Sequence, residues 1–334
     1  MAADVDGHRL WFRSRTPLRN SVEAYASAAW PSALLAGRDL ELDRPVSAQW
    51  LQGARQIGEV AHEWWGWHRV EVHVPAVVRD VGISGPRAPG VGLCFSGGVD
   101  SFHSLLAEQA RVTVLVSALG FDIPLDDRAR WRQWHDWLTA IGRATGTRVV
   151  TIATNVRTHP FASLAPWPMS HGGALAALGH LLSDSIGELI VSASYPRVMT
   201  EAKWGSHWRL DPHWSSGRLQ VRHVGVELWR AEKLAAIADN PVVQRHLRVC
   251  WEDTTPDLNC GICEKCIRTQ VVLDRLGLLG RFTVFPAGAL PDSIDRLPAL
   301  RNPDLMEVYE GFRADAAPTV RAALVRLLAR SEGR

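Results

Sequence analysis

The sequence predicts an α/β fold: a parallel five-stranded sheet with helices on both faces, carrying a small α+β region before it and helices after it. Three observations carry that prediction. From residue 90 onward, short apolar runs alternate with amphipathic helical stretches, the pattern of a parallel sheet covered on both sides. The first of these runs stops abruptly at Ser-Gly-Gly-Val-Asp-Ser, residues 96–101, where a helix begins. A chain of 334 residues, 46% hydrophobic and 22% charged, has ample core for one large domain or two modest ones.

Taken in order, residues 1–85 read as an N-terminal accessory α+β region. They hold a strand candidate "HRLWFRS", helical stretches near "SVEAYASAAWPSALLAG" and "AQWLQGARQIGEVAHEWW", and a strand candidate "RVEVHVPAVV". The segment "RDVGISGPRAPG" is rich in Gly and Pro and reads as a linker. The main domain, 90–285, then runs as strand "VGLCF", helix Val99 to Ala107, strand "VTVLVSA", helix "DDRARWRQWHDWLTAIGRATG" and strand "RVVTIAT". It continues with helix "HGGALAALGHLLSDSIG", strand "ELIVSAS", helix "VELWRAEKLAAIAD" and a short fifth strand "LRVC". Residues 286–334 form a helical extension, with Val320, Leu324 and Leu327 on one face of the last helix.

Charge narrows the partners. The net charge is +2, only Lys203, Lys233 and Lys265 are lysines, and no dense basic run marks a nucleic-acid groove. A small-molecule substrate is the better expectation. No apolar signal region or membrane-length stretch is present, which predicts a cytoplasmic protein with no membrane partner. A homodimer is compatible with the sequence.

The loop after the first strand carries the chemistry. In parallel α/β sheets ligands bind outside the carboxyl ends of the strands, and "SGGVDS" lies at such a place. Gly97 and Gly98 allow close approach to the main chain. The N–H groups from Gly98 through Val99 and Asp100 to Ser101 open a helix whose dipole favours an anion. Ser96 and Ser101 add hydroxyls, and Asp100 can hold Mg²⁺ on phosphate oxygens. There is no G-x-x-x-x-G-K-[ST] and no G-x-G-x-x-G, so neither a Walker loop nor a dinucleotide fingerprint is present.

This loop resembles the pyrophosphate loop of the N-type ATP pyrophosphatases, the PP-loop superfamily with its HUP-like, Rossmann-type fold. The resemblance implies cleavage of ATP between the α and β phosphates, adenylation of a substrate oxygen, and displacement of AMP by a nucleophile. It also places adenine at the end of the second strand, here Leu115 and Val116.

Four of the five cysteines lie at Cys250-x9-Cys260-x2-Cys263-x2-Cys266, a spacing that can close a tetrahedral Zn²⁺ site, with an iron–sulfur cluster as the rival. Loop and cluster together resemble 7-cyano-7-deazaguanine synthase over residues 90 to 275. That family uses ATP and ammonia to turn a deazaguanine carboxylate into an amide and then a nitrile. The chain departs from it where "WPMSHGGALAAL" replaces an Arg-Asn pair, and throughout "SYPRVMTEAKWGSHWRLDPHWSS", which implies a divergent branch with its own small acid substrate.

Loops after the second, third and fourth strands supply the substrate candidates Asp122, His171, Arg197, Trp204 and His207, along with Ser170 and Asp211. Lys203 is the candidate catalytic cation on phosphate. Trp131, Trp134 and Trp137 recur every third residue in one helix and read first as packing. Cys94, the one cysteine outside the cluster, reads as a core thiol, so ammonia or an amine must come from elsewhere. The alternatives are an RNA-modifying thiolase of the same superfamily with an iron–sulfur cluster, and a non-catalytic nucleotide-binding regulator.

Overall fold

A hairpin opens the chain. In the computed structural model, which describes residues 1–78, 87–252 and 258–332, β1 (Ala2–Val5) and β2 (His8–Arg13) pair antiparallel. Asp6 and Gly7 turn between them, both with positive φ, the conformation that Asp-Gly adopts most readily in a tight hairpin. Then follow α1 (Val22–Ala36), β3 (Leu40–Glu41), β4 (Val46–Ser47) and α2 (Ala48–Trp65). The expected strand "RVEVHVPAVV" is two short pieces, β5 (Val72–His73) and β6 (Val77–Val78), which pair with β3 and β4. The proposed linker lies mostly outside the described residues.

The strands of the main sheet are β7 (Gly90–Cys94), β8 (Val114–Leu119), β9 (Arg148–Thr154), β10 (Ile186–Ser192) and β11 (Gln220–Val224). With the hairpin they form one seven-stranded sheet in the order β1-β2-β9-β8-β7-β10-β11. Pairing is parallel from β9 to β11, and β2 joins β9 antiparallel through Phe12 and Thr154. The five-stranded expectation is therefore corrected on two counts. The hairpin adds two strands, and "LRVC" is not a strand at all; its place is taken by β11, "QVRHV". That segment does not read as a strand in sequence because it carries Gln, Arg and His, which an edge strand exposed along one side tolerates.

The chain forms two compact units, one of residues 1–95 and 107–228, the other of 96–106 and 229–334. The N-terminal residues share the first unit with all seven strands of the sheet. In that unit α4 (Arg128–Thr145) packs on β9, and α5 (Trp167–Leu181) packs on β10 and on α1. The α1–α5 contact is close because small residues line it; a Cβ on Gly173 would lie 2.3 Å from the Ser27 carbonyl oxygen. Trp30 and Trp50 are buried beside them, each with its indole N–H satisfied, by the Ala54 carbonyl and by Ser27 Oγ. Leu115 and Val116 are fully buried core residues of β8. Trp134 and Trp137 are buried and stack at 4.4 Å, so they pack as expected, while Trp131 lines a cavity of about 450 Å³ with Leu119, Leu125, Arg128 and Arg132.

The second unit is helical. It contains α3 (Val99–Ala107), α6 (Arg230–Ile237), α7 (Pro241–His246), α8 (Glu264–Arg275), α9 (Leu290–Arg296), α10 (Pro303–Arg313) and α11 (Pro318–Glu332). Val320, Leu324 and Leu327 are buried where α11 meets α9 and α10. Among the described residues no helix is long and apolar enough to cross a membrane.

Candidate nucleotide loop and metal centre

Residues 96–101 form the turn into α3, as the sequence predicts. Gly97 takes φ +72°, a left-handed conformation that any L side chain would strain. Gly98 is different: a Cβ there would meet only Ser96 Oγ at 3.5 Å and the Arg248 carbonyl oxygen at 3.7 Å, ordinary contacts. The fold itself does not require glycine at 98, and its absence of a side chain leaves the main chain open to an approaching group. The loop is held from within its own unit. Arg248 N–H donates to the Gly97 carbonyl at 2.9 Å, and Ser101 Oγ donates to the Gly98 carbonyl at 3.0 Å. Ser96 is exposed and Gly98 half-exposed, while Val99 and Ser101 are buried. The N–H groups of the first turn of α3 have no intrahelical acceptor and sit at the positive end of its dipole.

Asp100 is where structure and sequence differ most. Its carboxylate accepts from Arg230 Nη2 at 2.5 Å and from Lys233 Nζ at 3.3 Å. Both cations stand on the first turns of α6, three residues apart and so on one face. Lys233 is 1% exposed, Arg230 38%. Lys233 is thus a buried ammonium paired with the loop carboxylate, whereas Lys203 is exposed. Sequence reasoning singled out Lys203 and not Lys233, the lysine that pairs with Asp100. The available signal was that Lys233 follows Arg230 at helical spacing in a chain with only three lysines.

Cys250, Cys260, Cys263 and Cys266 come together as expected, all buried, with their sulfurs within 4.8 Å of one another. Two pairs, Cys250–Cys263 and Cys260–Cys266, lie at 3.9 Å. Four sulfurs about 2.3 Å from one tetrahedral ion would be separated by ~3.8 Å, so the arrangement can hold a metal ion. Gly261, φ +73°, makes the knuckle between ligands, and Cys263 begins α8. Asn259, fully buried, clamps the site: its Oδ1 accepts from the N–H groups of Val249 and Cys250, and its Nδ2 donates to the Leu247 and Val284 carbonyls. No sequence pattern flagged Asn259, because its role depends on three separate backbone segments meeting around it.

In the sheet-bearing unit four of the expected substrate residues fall into two aromatic and imidazole groups. The His171 ring contacts Trp204 at 5.4 Å, and Trp204 contacts Tyr195. Arg197 lies over the Trp208 ring, and His207 sits between Trp64 and Trp208. Ser170 is tied to the Ala165 and Pro166 carbonyls, a local helix-start role. Asp122 is exposed. Burial holds His171 below the ordinary imidazole range and lowers His207 to about 4. Burial and the charge of Asp211 push the Cys94 thiol up, which keeps it protonated and unreactive. His223, not among the expected residues, pairs with Asp211 at 2.7 Å.

Compared with family models, curated proteins and solved structures, the chain gives no match. Function is therefore argued from the geometry of these residues.

Proposed function

We propose that the chain is an ATP-dependent adenylating enzyme of the N-type ATP pyrophosphatase kind, resembling 7-cyano-7-deazaguanine synthase, that joins ammonia or an amine to a small carboxylate. The observation that carries this reading is the pairing of an open Gly-Gly loop at the start of α3 with Arg230 and Lys233, both directed at Asp100. A loop of backbone donors with two adjacent cations suits the pyrophosphate half of ATP. A substrate carboxylate oxygen attacks the α-phosphorus; the bond to the bridging oxygen breaks and pyrophosphate leaves with that electron pair. The amine then attacks the acyl carbon of the adenylate, and AMP departs. Arg230 and Lys233 stabilise charge that grows on the departing oxygens. Mg²⁺, when bound, would supply further neutralisation, and Asp100 is the loop carboxylate able to hold it on exchanging Arg230 for the metal.

The four thiolates are read as a structural Zn²⁺ site, since four protein ligands leave no open position for chemistry. The 3.9 Å sulfur pairs favour one ion over an iron–sulfur cluster, which must fit several irons and sulfides between its ligands. Incubation with ATP, Mg²⁺, ¹⁵N-ammonium and a panel of small carboxylic acids tests the reading by mass spectrometry. An acyl-adenylate followed by a ¹⁵N-containing amide is expected. Sulfur incorporation into RNA by a brown, iron-containing protein would instead establish the thiolase alternative.

A further inference from the structure

The sheet-bearing unit holds a second group of reactive atoms that the nucleotide loop does not use. Asp211, 1% exposed, accepts on Oδ2 from His223 Nδ1 and from Ser206 Oγ, each at 2.7 Å. Its other oxygen, Oδ1, is buried with no hydrogen-bond partner among the described residues. No Lys or Arg pairs with this carboxylate; His223 is its one basic partner among the described residues. His223 side chain is 2% exposed, and with Nδ1 committed to Asp211 its Nε2 has no partner among the described residues. A buried carboxylate oxygen without a donor costs free energy, so such an atom calls for a ligand.

The placement is built into the backbone. Gly172 and Gly205 let the 205–211 segment press on α5: a Cβ on Gly172 would lie 2.1 Å from the Gly205 carbonyl oxygen and 3.1 Å from Asp211 Oδ1. A Cβ on Gly205 would lie 2.5 Å from the Met169 carbonyl carbon. His223 stands near the carboxyl end of β11, beside Val191 of β10, the end of a parallel sheet where ligands bind. Around the pair stand His171 and His207, both held toward the neutral form by burial, and the rings of Trp204 and Trp208.

Two unfilled acceptors, a carboxylate oxygen and an imidazole nitrogen, select a donor. An anion would meet like charge on Asp211 and a lone pair on His223. We propose that Asp211 and His223 form a binding and proton-transfer site for a nitrogen compound bearing N–H groups, an ammonium or primary amine. Oδ1 accepts one N–H and Nε2 takes a proton from another. The ammonium becomes a neutral amine with its lone pair free, and the imidazolium so formed faces Asp211, which fixes the ring's orientation as in other Asp–His pairs. This deepens the proposed function by naming the class of its nitrogen donor, and it rests on that reading only for what becomes of the amine.

The test does not involve ATP, so its failure leaves the loop's reading standing. Full-length protein labelled with ¹⁵N-histidine is titrated with methylammonium chloride, and with tetramethylammonium chloride at equal ionic strength as the cation lacking N–H. The His223 Nε2 resonance should shift saturably with methylammonium and not with tetramethylammonium. Asp211→Asn should abolish the response while circular dichroism and zinc content stay unchanged, and Ser206→Ala, which spares Oδ1, should retain it. No saturable shift, an equal response to tetramethylammonium, or an undiminished response in Asp211→Asn would overturn the proposal. Should Asp211→Asn fail to fold, His223→Gln read through the His171 and His207 resonances replaces it: loss of their methylammonium response supports the site, and retention refutes it.

Discussion

At the residue scale, chemistry in this chain turns on partners distant in sequence. Asp100 was legible as a loop carboxylate, but its engagement by two cations 130 and 133 positions away was not. Lys233 looks like an ordinary helix-surface residue in one dimension, and only folding puts its ammonium against Asp100. If Lys233 serves the departing pyrophosphate, Lys233→Met should lower AMP formation by about 10²-fold, the loss typical of one charge-stabilising donor. Stability should fall by only about 1–3 kcal/mol, because Asp100 keeps Arg230. A parallel prediction concerns His207. Burial lowers its pKa to about 4, below the unfolded value of 6.5, so the unfolded chain binds more protons between those two values. His207 therefore contributes stability that is full above about pH 6.5 and is lost as pH falls toward about 4. Urea unfolding at about pH 7 and about pH 5 should show wild type losing more stability on acidification than His207→Gln. Equal losses would contradict this account of His207.

At the element scale, alternation of apolar runs and helices placed four of the five parallel strands, and α3 begins and ends where the sequence suggests. The failures have physical causes. "LRVC" looks like a strand because Leu, Val and Cys are apolar, yet Leu247 and Cys250 are buried for other reasons, the latter within the cysteine cluster. β11 was missed because hydrogen bonding to β10, not side-chain polarity, decides an edge strand. The N-terminal hairpin had a legible signal in Asp6-Gly7 that composition masked. The knuckle gives a prediction: Asn259→Ala strands two buried N–H groups and two carbonyls, so it should cost about 2–4 kcal/mol and weaken zinc retention. Thermal unfolding with metal analysis reads both. Gly172→Ala must displace the 205–211 segment, so it should abolish the methylammonium response of His223 while leaving zinc content intact.

At the scale of the whole molecule, the chain divides its chemistry between two compact units. One holds the 96–101 loop, Arg230, Lys233 and the four clustered cysteines; the other holds the sheet and the Asp211–His223 pair. Each unit is assembled from two separated stretches, an arrangement that leaves no composition shift at its edge for the sequence to show. Metal and folding should be linked in the helical unit: chelation, or Cys263→Ser, should lower the melting temperature and expose α8 to amide exchange. Unchanged exchange in α8 after complete metal removal would mean that the cysteines do not hold that unit together.

The central claim is that the loop at residues 96–101 grips pyrophosphate as it leaves, and not a phosphate being transferred. Phosphorus NMR of ATP turnover tests it directly, because it identifies which bond breaks. Wild-type protein with Mg²⁺ and the acid acceptor should yield AMP and pyrophosphate in equal amounts, and Asp100→Ala should yield neither while keeping the metal content of the wild type. ADP with inorganic phosphate from the wild type, or AMP formation undiminished in Asp100→Ala, would contradict it.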